Sequence, residues 1–415
     1  EVYPALVYIR VNRSAMESSD EDMEAVRGSG VLISANGEVL TNHHVIEKAR
    51  EIRCLLADGR NRQAEVVGSD EDLDVALLQL KLEEGESVPS ARLRSSGVQV
   101  GDFVMALGAP LGLTRTVTIG IISSAQRFLS QKKSQYNTWY QTDATLFPGN
   151  SGGPLIDIHG EVIGLNTLGR AGSGMGFALP SVVLLDILPR LREYHAINWA
   201  WLGFQFQPLH DFENNTYFPY SEGVMIADTD PGSPARLAGV RSGDRLLAFN
   251  GIPVTAVNQE EIPDLNRRFA LLPLEAPVEF LLERADGRYS VTLTPQAKGS
   301  IREEQEFPQW GFTAKEINRA EHPTLHFYAP EGGVFIASLV NEESYSYRSN
   351  ELKRNDILIS INGADVHSLA ELQAVYEQCV ASEAPGKKLP VVILRGGRRR
   401  QLFIQLRDKS DNQED

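Results

Sequence analysis

The chain has 415 residues, of which 42% are hydrophobic and 23% are charged, so several globular domains with real cores can form. Its formal net charge of −15 argues against a nucleic-acid or anionic-membrane partner, because phosphate groups are bound by basic surfaces. No stretch approaches the ~18 consecutive apolar residues of a membrane-spanning helix.

Short apolar runs separated by Gly, Asn and Asp turns fill the first part of the chain, up to about residue 195. This spacing predicts a pair of all-β barrels. The polar segment Asn12–Glu24 is predicted to be a flexible surface loop between strands. The predicted strands include Val66–Val67, Val75–Leu80, Phe103–Leu107, Val117–Ile122 and Val162–Asn166.

Two adjacent histidines, His43 and His44, are the first candidates for a catalytic group. An alternating run over Gly30–Ser34, a turn at Ala35–Gly37 and a return run over Glu38–Leu40 predict a β-hairpin just before them. A histidine at the end of a strand lies on a loop that the sheet can hold in place.

Three acids, Asp70, Asp72 and Asp74, follow in the next segment. Asp74 directly precedes the apolar run Val75–Leu78, whereas the other two lie in a polar turn. An acid at the start of an apolar strand is predicted to be partly buried, and a buried carboxylate needs a partner. An imidazole N–H is a suitable one, so Asp74 is the candidate.

The segment Gly149–Pro154 places one serine, Ser151, among glycines. Such a turn exposes the serine hydroxyl together with the backbone N–H groups of Gly149 and Ser151, and Asn150 shapes the turn. Acyl transfer needs this combination of a nucleophile with donors for the oxyanion that it creates. A glycine-rich turn alone usually only reverses the chain, but here a histidine and an acid precede it, in the order of a serine-protease site.

Several ordered segments make the chain similar to the HtrA/Deg (DegP-like) serine proteases. They are Gly28–Val31, Thr41–Val45, Asp74–Leu78, Gly149–Leu155 and Met175–Pro180. That family's pattern puts the general base directly before valine, which implies His44 rather than His43. The resemblance thus implies a triad of His44, Asp74 and Ser151, with Gly149, Asn150 and Ser151 forming the oxyanion hole.

The same resemblance implies that Leu146, Asn166 and Met175 lie near the primary specificity pocket. Thr145 stands where a pocket acid would favour lysine or arginine. We therefore expect small or medium aliphatic residues before the scissile bond.

The resemblance also implies a mainly β fold in three domains. A chymotrypsin/trypsin-like double β-barrel protease domain is expected over residues 1–197, a first PDZ domain over 198–299 and a PDZ-like domain over 300–410. A helix over Ser181–Tyr194 should close the protease domain. Its predicted apolar face consists of Val182, Leu185, Ile187, Leu188 and Leu191.

An internal repeat fills the rest of the chain. Arg241–Gly251 lines up with Lys353–Gly363 at an offset of 112 (356 − 244), and Gly223–Ala227 pairs with Gly333–Ala337. Both copies resemble the PDZ fold, in which an extended peptide joins a sheet edge. The second copy departs from the pattern, because Asn341–Asn350 replaces the Pro-rich segment of the first.

A peptide carboxylate loop is expected at the start of each copy. Trp201, Leu202, Gly203 and Phe204 fit that role in the first, because successive N–H groups can form an anion-binding nest. The second copy offers Gln309–Phe312, for which an ordinary packed strand start is an equally good interpretation.

Taken together, these features predict an ATP-independent serine endopeptidase that cleaves unfolded polypeptides in protein quality control. No Walker-type loop, H-E-x-x-H segment or Cys/His cluster occurs, so no cofactor or metal is expected. C-terminal peptides are the expected partners of the first PDZ domain. The alternative is a holdase chaperone or peptide-sensing scaffold with a latent triad.

By resemblance, the protein is expected to be periplasmic or otherwise exported and to form a homotrimer or a multiple of trimers. The chain starts at Glu1 without methionine, which suggests a processed product. Residues Val2, Tyr3, Leu6, Val7 and Tyr8 fit a trimer contact, a first barrel strand, or both. Cys54 and Cys379 are predicted to be buried thiols, and Arg395–Arg400 a hairpin turn.

Overall fold

A computed structural model describes most of the chain, in the ranges 2–13, 25–108, 116–129, 135–170, 174–212, 221–298, 304–318, 322–330, 332–339, 352–382, 384 and 386–406. By its contacts the chain divides into two compact units. The first comprises residues 1–198, 207–224 and 253–272, and the second 199–206, 225–252 and 273–415. Among the helices of the described ranges, none has the length and apolar character needed to cross a membrane.

Six strands close into the first barrel of the first unit. They are β1 (Leu6–Arg13), β2 (Ala25–Leu32), β3 (Glu38–Thr41), β4 (Ala49–Leu55), β5 (Asn61–Asp70) and β6 (Val75–Leu80), in the spatial order β1-β2-β3-β6-β5-β4. Alternate residues of β1 point into the core, since Val7, Ile9 and Val11 are fully buried and Arg10 is exposed. Leu6, Val7 and Tyr8 thus lie in the predicted first strand, whereas Val2 and Tyr3 precede it, with Tyr3 in a short 3-10 turn over Tyr3–Ala5.

The hairpin predicted before the histidines is confirmed, with Val31 opposite Leu40 across β2 and β3. A short helix, α1 (His43–Ile46), follows β3. The surface loop predicted from Asn12 starts later than expected, because Asn12 belongs to β1 and pairs with Ala25. Residues 14–24 of that predicted loop lie outside the described residues.

Six further strands close into the second barrel. They are β7 (Phe103–Gly108), β8 (Thr116–Arg127), β9 (Trp139–Thr142), β10 (Pro154–Asp157), β11 (Val162–Arg170) and β12 (Met175–Pro180), in the order β10-β11-β12-β9-β8-β7. Its core packs Val104, Ile122, Tyr140, Leu155 and Ile163. Two closed barrels leave no sheet edge within either of them.

The closing helix α2 has the predicted bounds, Ser181–Tyr194. Its buried face differs in part from the prediction, since Leu185 is exposed and Val182 is only partly buried. Successive residues of a helix are about 100° apart, so Val183 and Leu184, rather than Val182 and Leu185, lie on the same side as Ile187. The buried apolar face consists of Val183, Leu184, Ile187, Leu188 and Leu191.

The first PDZ copy contains a six-stranded sheet beside a small two-stranded one. The small sheet pairs β13 (Ala200–Trp201) with β20 (Gln296–Ala297). The larger has β14 (Phe204–Gln207), β15 (Val224–Thr229), β16 (Arg245–Phe249), β17 (Ile252–Pro253), β18 (Val278–Arg284) and β19 (Gly287–Leu293), with β14 at one end of the order and β17 paired to β16. Two helices belong to this segment, α3 (Pro234–Leu237) and α4 (Ile262–Ala270).

The second copy has a seven-stranded sheet. Its strands are β21 (Gln305–Phe307), β22 (Phe312–Glu316), β23 (Val334–Leu339), β24 (Ile357–Ile361), β25 (Ala364–Asp365), β26 (Lys388–Arg395) and β27 (Arg398–Gln405), in the order β21-β22-β23-β24-β26-β27, with β25 on β24. Its helices are α5 (Pro323–Tyr328) and α6 (Leu369–Ser382). Arg395 pairs with Arg398 across the predicted hairpin turn.

The repeat is visible in three dimensions as well as in sequence. Strands β16 and β24 start 112 residues apart, at Arg245 and Ile357. Asp244 and Asp356, each fully buried just before these strands, form ion pairs with Arg284 and Arg395 respectively. The divergent segment 341–350 lies outside the described residues.

Both cysteines are free and buried, as predicted. Burial raises the pKa of the Cys54 thiol to about 12, so this group stays protonated at neutral pH.

Candidate active site

His44 lies on α1, one turn past the end of β3. Its side chain is 46% exposed, which leaves the imidazole accessible to a substrate. His43 points elsewhere: its Nδ1 is buried and has no partner in the described part of the chain. The structure therefore brings only His44 of this pair to the candidate site.

Asp74 ends the turn between β5 and β6 and faces His44. The His44 Nδ1 atom lies 2.8 Å from Asp74 Oδ2 and 2.9 Å from Oδ1, and the His44 backbone N–H donates to Oδ1 at 3.0 Å. Asp74 has a φ of +54°, a left-handed conformation that aspartate adopts more readily than most residues. Asp70 caps the same turn by accepting the Leu73 N–H at 2.8 Å.

Ser151 follows a tight turn over Phe147–Asn150. The Asn150 N–H donates to the Phe147 carbonyl at 2.9 Å, and Gly149 has a φ of +101°, as a type II turn with proline at its second position requires. Among the described residues, neither Gly149 nor Ser151 donates its N–H to a protein acceptor. The Ser151 hydroxyl lies 3.4 Å from the Thr167 carbonyl oxygen.

Strand β2 of the first barrel holds the serine turn of the second. The Ser29 N–H donates to the Ser151 carbonyl at 2.9 Å, and the Ser29 hydroxyl donates to the Gly149 carbonyl at 2.7 Å. A Cβ at Gly152 would lie 2.2 Å from the Ser29 oxygen and 2.3 Å from Thr41 Oγ1. Only glycine therefore fits beside the serine.

Asn42 is a site residue to which the sequence analysis gave no role. Its fully buried side chain donates to the Asp74 carbonyl at 2.8 Å and to Thr167 Oγ1 at 3.1 Å. Thr167 is in turn the residue whose carbonyl faces the Ser151 hydroxyl. The sequence did contain a signal for this role, since Asn42 is a polar residue placed directly between a buried strand and the two histidines.

Of the three residues expected near the specificity pocket, Leu146 and Met175 are partly buried and Asn166 is fully buried. Leu146 is partly buried and packs against β12, since a Cβ at Gly176 would meet its Cγ at 2.9 Å. Met175 begins β12 and is also partly buried. The Asn166 side chain is fully buried and donates to the carbonyls of Leu107 and Pro154, so it braces the barrel wall.

The expected carboxylate loop of the first PDZ copy connects β13 to β14. The Leu202 and Gly203 carbonyls accept the N–H groups of Ala235 and Asp230 at 3.1 and 2.8 Å. Within the described ranges, neither Leu202 nor Gly203 donates its own N–H to a protein acceptor. Trp201 is buried, and its indole N–H donates to Asp230 at 2.7 Å.

In the corresponding loop of the second copy, Trp310 is fully buried and stacks on Phe312. The packed strand start is therefore the interpretation that the structure supports there. No group of three or more His, Cys, Asp or Glu side chains in the described ranges is arranged to hold a metal ion.

Comparison with known proteins matches this geometry to named domains. The profile of the trypsin-like peptidase domain matches residues 28–165, and PDZ domain profiles match residues 225–284 and 300–394. A probable periplasmic serine endoprotease DegP-like of Hahella chejuensis is 32% identical over 394 residues, 92% of this chain and 81% of that protein. The chain belongs to the DegP-like family of serine endoproteases.

Other DegP-like relatives agree. The probable periplasmic serine endoprotease DegP-like of Halomonas elongata is 31% identical, and the alignment covers 92% of this chain and 79% of that protein. Among solved structures, the HtrA-type protease AlgW with tripeptide matches with a TM-score of 0.61 at 28% identity, over 72% of this chain and 95% of that one. The serine endoprotease from Yersinia pestis matches with a TM-score of 0.52 at 30% identity, over 71% and 95%.

These matches confirm a mainly β chain with a trypsin-like domain and two PDZ domains. They also confirm that this DegP-like chain is a serine endopeptidase, which favours the protease over a latent scaffold. The domain boundaries at 197 and 299 stay a prediction.

Proposed function

We propose that His44, Asp74 and Ser151 form the catalytic triad of this endopeptidase. The observation that carries the proposal is the pair of contacts of 2.8 and 2.9 Å between His44 Nδ1 and the Asp74 carboxylate. That contact fixes the imidazole so that Nε2 is the nitrogen left for the nucleophile. The Ser151 hydroxyl oxygen attacks the scissile carbonyl while His44 takes the hydroxyl proton. His44 later passes this proton to the leaving amine, and Asp74 stabilises the imidazolium that forms in between.

The oxyanion hole in this proposal consists of the backbone N–H groups of Gly149 and Ser151. Support comes from the absence of a protein acceptor for either N–H in the described ranges. The Ser29 contacts hold the peptide planes that follow Gly149 and Ser151. The Gly153 N–H donates to the Asn150 carbonyl at 2.9 Å and so holds the peptide plane that carries the Ser151 N–H, which orients this donor before substrate arrives. Asn150 contributes through the turn, because its own N–H is bonded to Phe147.

Labelling with a fluorophosphonate tests the triad, since the reagent modifies only a serine that is activated and beside a formed oxyanion hole. We expect a single adduct, on Ser151. Ser151→Ala should leave only background hydrolysis of a casein substrate, and Asp74→Asn should lower turnover by roughly 10⁴. Labelling at another serine, or cleavage by the Ser151→Ala protein near the unmodified rate, would refute the assignment.

The proposed substrates are unfolded or locally extended polypeptides, cleaved without ATP in protein quality control outside the cytoplasm. The DegP-like relatives are named periplasmic, which supports export of this chain. The primary pocket in this proposal is lined by Leu146 and Met175, with Asn166 supporting the wall from behind.

The first PDZ copy is proposed to bind peptide C-termini at Trp201–Phe204. The N–H groups of Leu202 and Gly203 have no protein acceptor in the described ranges, as an anion-binding nest requires. The solved structure of the HtrA-type protease AlgW named above is a complex with a tripeptide, which agrees with peptide binding by such proteins.

The proposed assembly is a homotrimer or a multiple of trimers. On the outer face of the second barrel, Phe103 and Ile119 are 65% and 71% exposed on adjacent strands β7 and β8. Exposed neighbours of this kind offer an apolar contact for another copy. Light scattering of the unmodified and Phe103→Ser chains tests the proposal, and equal masses for both would contradict this surface.

A further inference from the structure

The two PDZ copies differ at the edge strand that accepts a peptide. In the first copy β14 ends the sheet, with β15 as its neighbour among the described strands. In the second copy the equivalent strand is β22, which follows the Gln309–Phe312 loop and pairs with β23 in the same way. Here a further strand, β21, lies on the outer edge of β22.

Strand β21 lies as a bound peptide would. It runs antiparallel to β22, with Gln305 opposite Ala314 and Phe307 opposite Phe312. Its other side meets helix α6, where the Gln305 side chain donates to Gln373 at 2.7 Å. An extended segment between a sheet edge and a helix is the arrangement by which PDZ domains hold peptides.

Phe307 fills an apolar site between the sheet and α6. The residue is fully buried, and its ring lies 5.3 Å from that of Tyr376 on α6 in an edge-on contact. The rings of Trp310 and Phe312 lie 5.9 and 5.7 Å from it. Aromatic contacts at these distances stabilise beyond the buried area alone.

A four-residue turn over 308–311 joins β21 directly to β22, so the two strands form a hairpin. The Phe307 carbonyl accepts the N–H groups of Trp310 and Gly311 in that turn, each at 2.9 Å, and these hydrogen bonds hold β21 against β22. At the other end of the segment, the Glu304 carboxylate accepts hydrogen bonds from the hydroxyls of Thr313 and Ser338.

We propose that Gln305–Phe307 is a built-in ligand of the second PDZ domain, held in the groove between β22 and α6. While it stays there, this groove is closed to other peptides. The apolar, ring-lined site around Phe307 selects peptides that end in an aromatic residue as the ones able to enter when the segment leaves. The two PDZ domains therefore have different roles, since among the described strands β14 ends its sheet, whereas β22 is covered by β21.

Photo-crosslinking in the full chain tests this proposal. The chain carries Ser151→Ala, so that the probe is not cleaved, and the probe is a short benzophenone-labelled peptide with a free C-terminal phenylalanine. Adducts are mapped by mass spectrometry. We expect no saturable adduct on β22 or α6 in the chain with Phe307 intact, and an increase of about tenfold or more there after Phe307→Ala.

Glu306→Ala is the matched control, because Glu306 lies on the same strand but is exposed. It should leave the groove closed. Saturable adducts on α6 with Phe307 intact would overturn the proposal, as would a folded Phe307→Ala chain that gains none. If Phe307→Ala unfolds the second unit, the Glu304→Ala/Gln305→Ala chain decides by the same criterion, since it removes two polar anchors and leaves the ring in place.

Discussion

The side-chain amide of Asn42 donates to the backbone carbonyl of Asp74 at 2.8 Å. Asp74 has a left-handed backbone, and this hydrogen bond fixes the turn that aims its carboxylate at His44. The same amide reaches Thr167 Oγ1 at 3.1 Å, so one buried side chain contacts both the acid turn and the strand that faces Ser151. Asn42 is thus a positioning residue for the proposed triad.

Asn42→Ala should lower kcat by about 10- to 100-fold with little change in KM. Removing the amide leaves a buried carbonyl without a donor, which costs about 1–3 kcal/mol, and frees the Asp74 turn. Steady-state cleavage of an internally quenched peptide measures the effect. Asn61→Ala, at an exposed position of β5, is the control and should retain activity. If Asn42→Ala and Asn61→Ala have the same kcat and KM, Asn42 has no positioning role in the site.

Gly152→Ala should abolish most activity, at least 10²-fold, because the new methyl group would collide with the Ser29 oxygen at 2.2 Å and displace the serine turn. Gly59→Ala is the matched control: its φ of +92° is equally unfavourable for alanine, but no atom lies within 4 Å of the new Cβ. The control should lose about 1 kcal/mol of stability and keep its activity. If both Gly152→Ala and Gly59→Ala lose activity, the loss comes from the strained backbone of alanine at positive φ and not from the collision with Ser29.

The Asp244–Arg284 pair predicts an acid dependence of the stability of the second unit. Burial would raise the pKa of Asp244, but hydrogen bonds from Arg284, the Arg241 N–H and the Tyr289 hydroxyl outweigh it and hold that pKa below its usual value. The contribution is therefore present above the ordinary aspartate pKa of about 3.9 and is lost as the pH falls through the lowered one.

Asp244→Asn should cost about 1.5–3 kcal/mol at pH 7, because it removes the charge-assisted hydrogen bonds that the partly buried Arg284 donates to Asp244. The cost should become smaller as the pH falls below the ordinary aspartate pKa of about 3.9 and towards 3. Urea unfolding across this range, followed by tryptophan fluorescence, measures it. Asp286→Asn, on the exposed turn between β18 and β19, serves as the control and should match the unmodified chain at each pH. A difference that grows towards acid pH would contradict the sign.

Digestion of a peptide library should show cleavage after small or medium aliphatic residues. Thr145 brings no negative charge to the proposed pocket, and Leu146 adds bulk against Gly176. Leu146→Ala should shift preference towards larger apolar residues by about tenfold or more in relative kcat/KM, since one methylene in an apolar pocket is worth about 1–3 kcal/mol. Cleavage mainly after arginine would exclude this pocket.

The sequence by itself determined the elements and the chemistry of the chain. Turn residues and alternating apolar runs placed the hairpin before His44, the helix over Ser181–Tyr194 and the repeat, because these depend on neighbouring residues. Short motifs also marked His44, Asp74 and Ser151, since each combines a reactive side chain with the backbone context that it needs.

Only the tertiary structure decided which groups meet. The contact between Ser29 and Gly149 joins residues 120 positions apart, and it exists because two closed barrels bring β2 beside the serine turn. The roles of Asn42 and Asn166 likewise depend on carbonyls that are distant in sequence, that of Asp74 for Asn42 and those of Leu107 and Pro154 for Asn166. The filled groove of the second PDZ domain has the same origin, because local pattern cannot say which strand takes a sheet edge.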